Sequence, residues 1–266
     1  MNIDPKFIDV DFSKDPNYVQ GYFGKQPDLK LMMDNYGDVA NVYDEATLKE
    51  AAKRIKEAGG GCSRLVKYVL NQKQEGSCVG NGTTAALQII WAKQYGLDKV
   101  IPMSAMSLYK RIGRSAQSGA VVSDAWKEIK ERGVLPLDTD ENKARFKHTH
   151  PATGFSVPLP QGWEETAKMF KGLEATICTH VNEVLSALAD RCPVVVGRRG
   201  HCVCYCDLLY DDNFVVPYVN SWGKWGSPLG HMEYGFGFDT LQVIKEASDW
   251  AFALRSATTP DFITNA

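Results

Sequence analysis

The stretch Gln72-Lys73-Gln74-Glu75-Gly76-Ser77-Cys78-Val79-Gly80-Asn81-Gly82-Thr83-Thr84-Ala85-Ala86-Leu87-Gln88-Ile89-Ile90-Trp91 decides the reading of this chain. Asn71 to Gly76 is a polar turn. After it Gly82, Thr83, Ala86, Leu87, Ile90 and Trp91 recur at helical spacing until Gly96, which predicts a long helix with Ser77 as its N-cap and the glycine as its stop. Gly80, Gly82 and Ala85 are small enough to let neighbours approach closely, so the helix is expected to be buried. Cys78 then lies on the first turn, where unpaired N–H groups and the positive end of the dipole favour a thiolate. It is a candidate nucleophile.

Working outward, Leu48, Ala51-Ala52 and Ile55 recur every three to four residues between Ala46 and Ala58, and Gly59-Gly60-Gly61 ends the pattern; this predicts an amphipathic helix followed by a hinge. Leu65 to Leu70 is β-prone. Helices are expected from Ser104 to about Gly113 and from Ser123 to Arg132, the second capped by Ser123, braced by Glu128 and Arg132, and stopped by Gly133. A polar loop runs through Asp138 to Thr153. Beyond it, a helix over Asn182 to Asp190 precedes strands at Pro193-Val194-Val195-Val196, His201 to Tyr210 and Phe214 to Asn220, the last two joined at Asp211-Asp212-Asn213. A helical first half and a stranded second half indicate an α+β fold of two lobes with a cleft between them. Residues 1 to about 45 show little periodicity and read as an extended arm, which divides the chain into 1–61, arm and helix, and 62–266, the main domain.

The 266 residues are 44% hydrophobic and 23% charged, with a formal net charge of -2, enough for a substantial core. The balanced charge excludes a bulk cationic grip on nucleic acid or on an anionic membrane. No apolar run approaches the roughly 18 residues of a membrane helix, and the start Met1-Asn2-Ile3-Asp4-Pro5-Lys6 lacks the pattern of a secretory signal. Seven cysteines are an odd number, and nothing suggests a disulfide scaffold. A reducing compartment, cytoplasmic or virion-associated, is expected.

Two more fragments carry chemistry: Gly200-His201-Cys202-Val203 and Asn220-Ser221-Trp222-Gly223. Side chains alternate along a strand, so His201, Val203 and Tyr205 face one way and Cys202, Cys204 and Cys206 the other. Antiparallel pairing across Asp211–Asn213 brings the Asn220 amide towards the imidazole. Nucleophile, base and orienting group are thus available from two lobes.

In this order the three fragments resemble the papain-like cysteine peptidases, especially compact bacterial and phage forms with a Gln-x-Gln-x-Gly-Ser-Cys box. The resemblance covers about residues 65 to 240. It implies Cys78 as nucleophile, His201 as general base, Asn220 as the group that holds the imidazole, and Gln72 as the side chain that joins the Cys78 N–H in an oxyanion hole. It also implies Trp222 as the shield over the His–Asn contact, and Gly76, Ser77, Gly119, Ala120 and Gly200 as cleft lining for a polypeptide substrate. No cofactor and no metal are implied. Glu75 stands where many relatives have a disulfide cysteine, and Val79 replaces an aromatic residue. Only Gly197-Arg198-Arg199-Gly200 fills the place of a long hairpin, so Arg198 and Arg199 are expected at an open rim, favouring acidic substrates.

Cys62, Cys178 and Cys192 read as inert core residues, Cys202, Cys204 and Cys206 as packed thiols, and His148, His150 and His231 as solvated. Two other functions stay open. One is a papain fold kept as a silent binding or virion structural protein. The other is the same thiol chemistry as an amidase, isopeptidase, peptidoglycan peptidase or acyltransferase, since all pass through a thioester. The segment 1–61 is either a permanent arm or a removable prosegment.

Overall fold

A computed structural model describes residues 3–16, 18–22, 40–246 and 251–260. Its helices are α1 (Glu45–Glu57), α2 (Cys78–Tyr95), α3 (Ala105–Ile112), α4 (Val122–Glu131), α5 (Asp140–Arg145), α6 (Glu164–Ala167), α7 (Val181–Ala189) and α8 (Leu241–Glu246). The strands are β1 (Gly172–Cys178), β2 (Val194–Arg198), β3 (His201–Tyr205), β4 (Leu209–Tyr210), β5 (Phe214–Val219), β6 (Ser227–Leu229), β7 (Met232–Thr240) and β8 (Ala251–Ala257). They form one antiparallel sheet in the order β1-β8-β2-β3-β5-β7-β6, with β4 paired to β5. The α+β reading is correct.

Helix α2 is the spine. Every residue from Cys78 to Ala92 is buried, because one side packs on α3 and the other on β3 and β8. A methyl group on Gly80 would lie 2.9 Å from the Ala105 carbonyl oxygen, so only glycine lets α3 come this close. The sheet divides two apolar clusters. Cys202, Cys204 and Cys206 face the helical lobe with Leu87, Ile90 and Trp91, whereas Val203 and Tyr205 face α1 and α7 with Leu48, Ile55 and Leu188. The alternation expected along β3 therefore holds.

Local expectations fail where one residue's chemistry was misassigned. Leu65 to Leu70 forms no strand; a 3-10 turn at Cys62–Leu65 runs into extended chain that touches the sheet lobe through an isolated bridge from Asn71 to Trp222. Ser123 does not cap α4, which starts one residue earlier with Val121 at the cap position. The α7 cap is His180, whose side chain accepts from the Asn182 N–H while Glu183 returns a bond to the His180 N–H. The polar loop contains α5, capped by Thr139. No helix among the described residues is long and apolar enough to cross a membrane.

Candidate active site

The start of β3 and the end of β5 bring His201 and Asn220 together, and the start of α2 lays the Cys78 sulfur against the N–H of Cys202, the next residue of β3. Nε2 of His201 lies 2.8 Å from Oδ1 of Asn220, an arrangement set by the antiparallel pairing of β3 with β5. Its other nitrogen, Nδ1, is buried and has no hydrogen-bond partner among the described residues. Cys78 begins α2 as expected. The Ser77 hydroxyl does not cap the helix; it accepts from Nδ2 of Asn81 at 3.1 Å. The Cys78 sulfur is served instead by the backbone N–H groups of Cys202, Val79 and Cys78 itself.

Those donors favour a thiolate, but the thiol is wholly enclosed, and burial pushes it up to about 12. Burial likewise takes His201 down to about 4, with the Asn220 bond opposing and the Arg198 charge assisting. Burial in this conformation thus opposes the thiolate expected from the helix end and favours the neutral form of both groups. The enclosing element is the N-terminal arm. The N–H groups of Gly21 and Tyr22 both donate to the Gly200 carbonyl at 3.1 Å, and the Gly21 carbonyl accepts from the Ala120 N–H at 2.9 Å. A methyl on Gly21 would sit 2.6 Å from the Cys78 sulfur and 2.6 Å from the Gly76 carbonyl oxygen. The arm therefore crosses the cleft directly over the thiol.

Gln72 is buried, and it ties the cysteine loop to the sheet lobe. Its Oε1 accepts from the Ser221 hydroxyl at 2.5 Å, its backbone N–H donates to the Ser221 carbonyl at 2.8 Å, and its Nε2 donates to the Glu75 carbonyl at 2.7 Å. Glu75 makes a polar clasp, its carboxylate accepting from the N–H groups of Gly154 and Phe155, each at 3.0 Å. Gly119 has a positive φ of 68° and donates its N–H to the Tyr109 hydroxyl at 3.0 Å, which aims the next N–H, that of Ala120, into the cleft. The Trp222 ring lies 5.0 Å from the imidazole.

Of the two arginines expected at the rim, one is elsewhere. Arg198 is fully buried, paired with Asp239 at 3.1 Å and stacked 4.5 Å over the Phe12 ring. Arg199 stays exposed in the turn beside Gly200, paired with Glu246 at 2.7 Å. The turn is so short that the β2 register carries Arg198 inward, where an acid on β7 meets it. His150, expected in solvent, is buried with Nδ1 3.2 Å from the Ser104 hydroxyl. All seven cysteines are buried and unpaired.

The arm is expected from the sequence, whereas the burial of Phe12 and the seating of Gly21 on Cys78 are not. Phe12 is fully buried with its ring centroid 4.5 Å from that of His201 and 5.3 Å from that of Trp222. The only local signal is Tyr18-Val19-Gln20-Gly21-Tyr22, a lone glycine in an otherwise bulky run.

The sequence matches no protein-family model and no curated protein. Its fold does have solved counterparts. Xylellain, a cysteine protease from Xylella fastidiosa, superposes with a TM-score of 0.62 at 18% identity over 90% of this chain and 97% of that one. Procathepsin L2 proteinase from the larval midgut of Tenebrio molitor gives 0.60 at 14% identity over 92% and 81%. The proCathepsin B S9 of Trypanosoma congolense gives 0.52 at 14% over 90% and 88%. This chain has the fold of the papain-like cysteine proteases.

Proposed function

We propose that this protein is a thiol-dependent peptidase whose described form is closed by its own N-terminal arm. The observation that carries the reading is the identity of the cleft's occupant. A peptide backbone, that of Gly21 and Tyr22, is bonded to Gly200 and Ala120 and laid against Cys78, so the groove accepts extended polypeptide. The neighbours described as cysteine proteases support the same chemistry, and two of those compared are described as proforms.

With the arm displaced, solvent and a substrate carbonyl replace the apolar enclosure. The Cys78 proton then moves to Nδ1 of His201, the nitrogen that lacks a partner in the closed form. The thiolate attacks the carbonyl carbon, and the π pair moves to oxygen, which the Cys78 N–H and Gln72 side chain stabilise. Collapse breaks the C–N bond as imidazolium protonates the departing amine. His201 then removes a proton from water, hydroxide adds to the thioester, and the acid leaves as the thiol is restored. Asn220 keeps Nδ1 aimed at the sulfur throughout. Gly76, Ser77 and Trp222 line the groove, and the chemistry requires no cofactor.

The test is intact-mass analysis after brief exposure to an epoxysuccinyl peptide at pH ~6, where an ordinary thiol is almost wholly protonated. It compares wild type, Gly21→Val and Gly21→Val/His201→Ala. A single Cys78 adduct, fast in Gly21→Val and lost with His201, is expected. No adduct in either protein with His201 intact would refute the peptidase and leave the silent binding protein. Profiling peptides, amides and isopeptides with Gly21→Val then separates the peptidase from the amidase, isopeptidase and acyltransferase alternatives.

A further inference from the structure

The arm is fastened in two different ways. Residues 18–22 bridge the lobes by backbone bonds, to Gly200 on one side and Ala120 on the other. The bonds of the preceding residues, by contrast, go to the sheet lobe. The Asp9 N–H donates to the Phe238 carbonyl at 2.8 Å, and the Asp9 carboxylate accepts from the Thr240 N–H and hydroxyl at 2.7 and 2.8 Å. Nη2 of Arg198 donates to the Val10 carbonyl at 3.1 Å, and Nε1 of Trp225 donates to Asp15 at 3.2 Å. An element that only blocked the cleft would have no need of this set of side-chain contacts within the lobe that carries His201.

Phe12 lies at the centre of that set. Its ring, the His201 imidazole and the Trp222 indole form a closed triangle with centroid separations of 4.5, 5.0 and 5.3 Å. The guanidinium of Arg198 lies on the same Phe12 ring. One fully buried ring therefore touches the imidazole, the indole and a buried cation. Building on the peptidase reading, we propose that Phe12 is a positioning residue for His201, and that the stretch from Pro5 to Asp15 is a permanent part of the catalytic lobe while only residues 18–22 act as the removable cover.

The physical basis is geometric. Asn220 holds one nitrogen of the ring, which leaves rotation about the Nε2–Oδ1 axis unrestrained by that bond alone. Edge-on contact from Phe12 and tilted contact from Trp222 fix the plane and so the direction of Nδ1. Phe12 also excludes water from this side of the imidazole. The charges acting on His201 are those of Arg198 on β2 and Asp15 on the arm, and Phe12 contacts the first of these.

The two roles for this stretch predict opposite signs. If Phe12 belonged to the cover, removing its ring would loosen the arm and speed Cys78 alkylation. As a positioning residue, its removal slows it. In the Gly21→Val background, Phe12→Ala is expected to lower the epoxysuccinyl-peptide alkylation rate and kcat roughly ten- to a hundredfold, to displace the acid limb of the pH profile, and to change KM little; Phe12→Leu is expected to fall between. Asp9→Asn, which leaves the ring intact and weakens its anchor, is the control against misfolding and is expected to shift both readouts the same way by less. An unchanged or raised rate with an unchanged pH profile in a folded variant would overturn the proposal. Should Gly21→Val show no His201-dependent labelling, the peptidase reading falls. The role of Phe12 is then read by NMR, where Phe12→Ala must move the His201 titration upward; an unmoved titration overturns it.

Discussion

The two stretches of the arm on either side of residue 17 show how differently one chain can be attached to the same body. Around Asp9, Phe12 and Asp15, attachment depends on particular side chains, each with a named partner on β2, β3, β7 or the loop after Asn220. Around Gly21 it depends on backbone atoms, which any polypeptide possesses, with the Tyr22 ring buried against Gly197 beside them. The first kind of attachment is specific and hard to replace. The second is one with which any extended peptide could compete, and this is what a cover over a peptide-binding groove needs.

The largest expected effect comes from breaking the backbone-held stretch. Gly21→Val places a branched side chain where even a methyl would overlap the thiol and the Gly76 carbonyl. Losing three backbone bonds at about 1 kcal/mol each should raise the rate of Cys78 alkylation on the order of a hundredfold, measured by intact mass against time. An unchanged rate would mean that the cover opens without the Gly21 bonds being broken.

The same variant gives the pH test. His201 in the closed form remains neutral down to about 4 because it is buried, whereas an exposed imidazole titrates near 6.5. The folded pKa is depressed, so unfolding or opening of a solvated, unpaired ring takes up a proton between about 4 and 6.5, and this group's contribution to the closed state weakens as the pH falls through that window. NMR titration should find the His201 midpoint near 4 in the intact chain and well above it in Gly21→Val. Equal midpoints would show that the cover is not what desolvates the ring.

Breaking the side-chain-held stretch should cost stability. Asp9→Ala removes two bonds to Thr240, worth roughly 2 kcal/mol for a charged acceptor, and should lower the denaturation midpoint while raising labelling far less than Gly21→Val does. The smallest effect is expected from Trp225→Phe, which deletes one N–H to Asp15 and should cost about 1 kcal/mol or less. A larger loss from Trp225→Phe than from Asp9→Ala would invert the ranking and place the main anchor at Asp15.

Much of the site could be read from residue order because it rests on local rules. Small residues at helical spacing gave a buried α2, and alternation along β3 separated His201 from the neighbouring thiols. What sequence did not reveal was long-range. The burial of Arg198 depends on Asp239, a partner five strands further along the chain, and the enclosure of Cys78 depends on a backbone more than fifty residues earlier that has no side-chain signature. β1 escaped notice for a local reason. Register shifts at Gly172 to Ala175 leave Leu173 exposed, which spoils the alternation that would have marked a strand.

Seven unpaired, buried thiols also make the chain a gauge of its own motions. One of them, Cys78, lies beneath a strap of a few backbone bonds, and the other six lie within the two apolar clusters. A small thiol reagent would therefore encounter two populations. One sulfur is uncovered by a local excursion of the arm, and six are uncovered only when packed layers separate. Counting modified sulfurs against time, at reagent concentrations low enough for reclosure to compete, would resolve the free energy of lifting the strap from that of opening the core, with no label added and no residue changed.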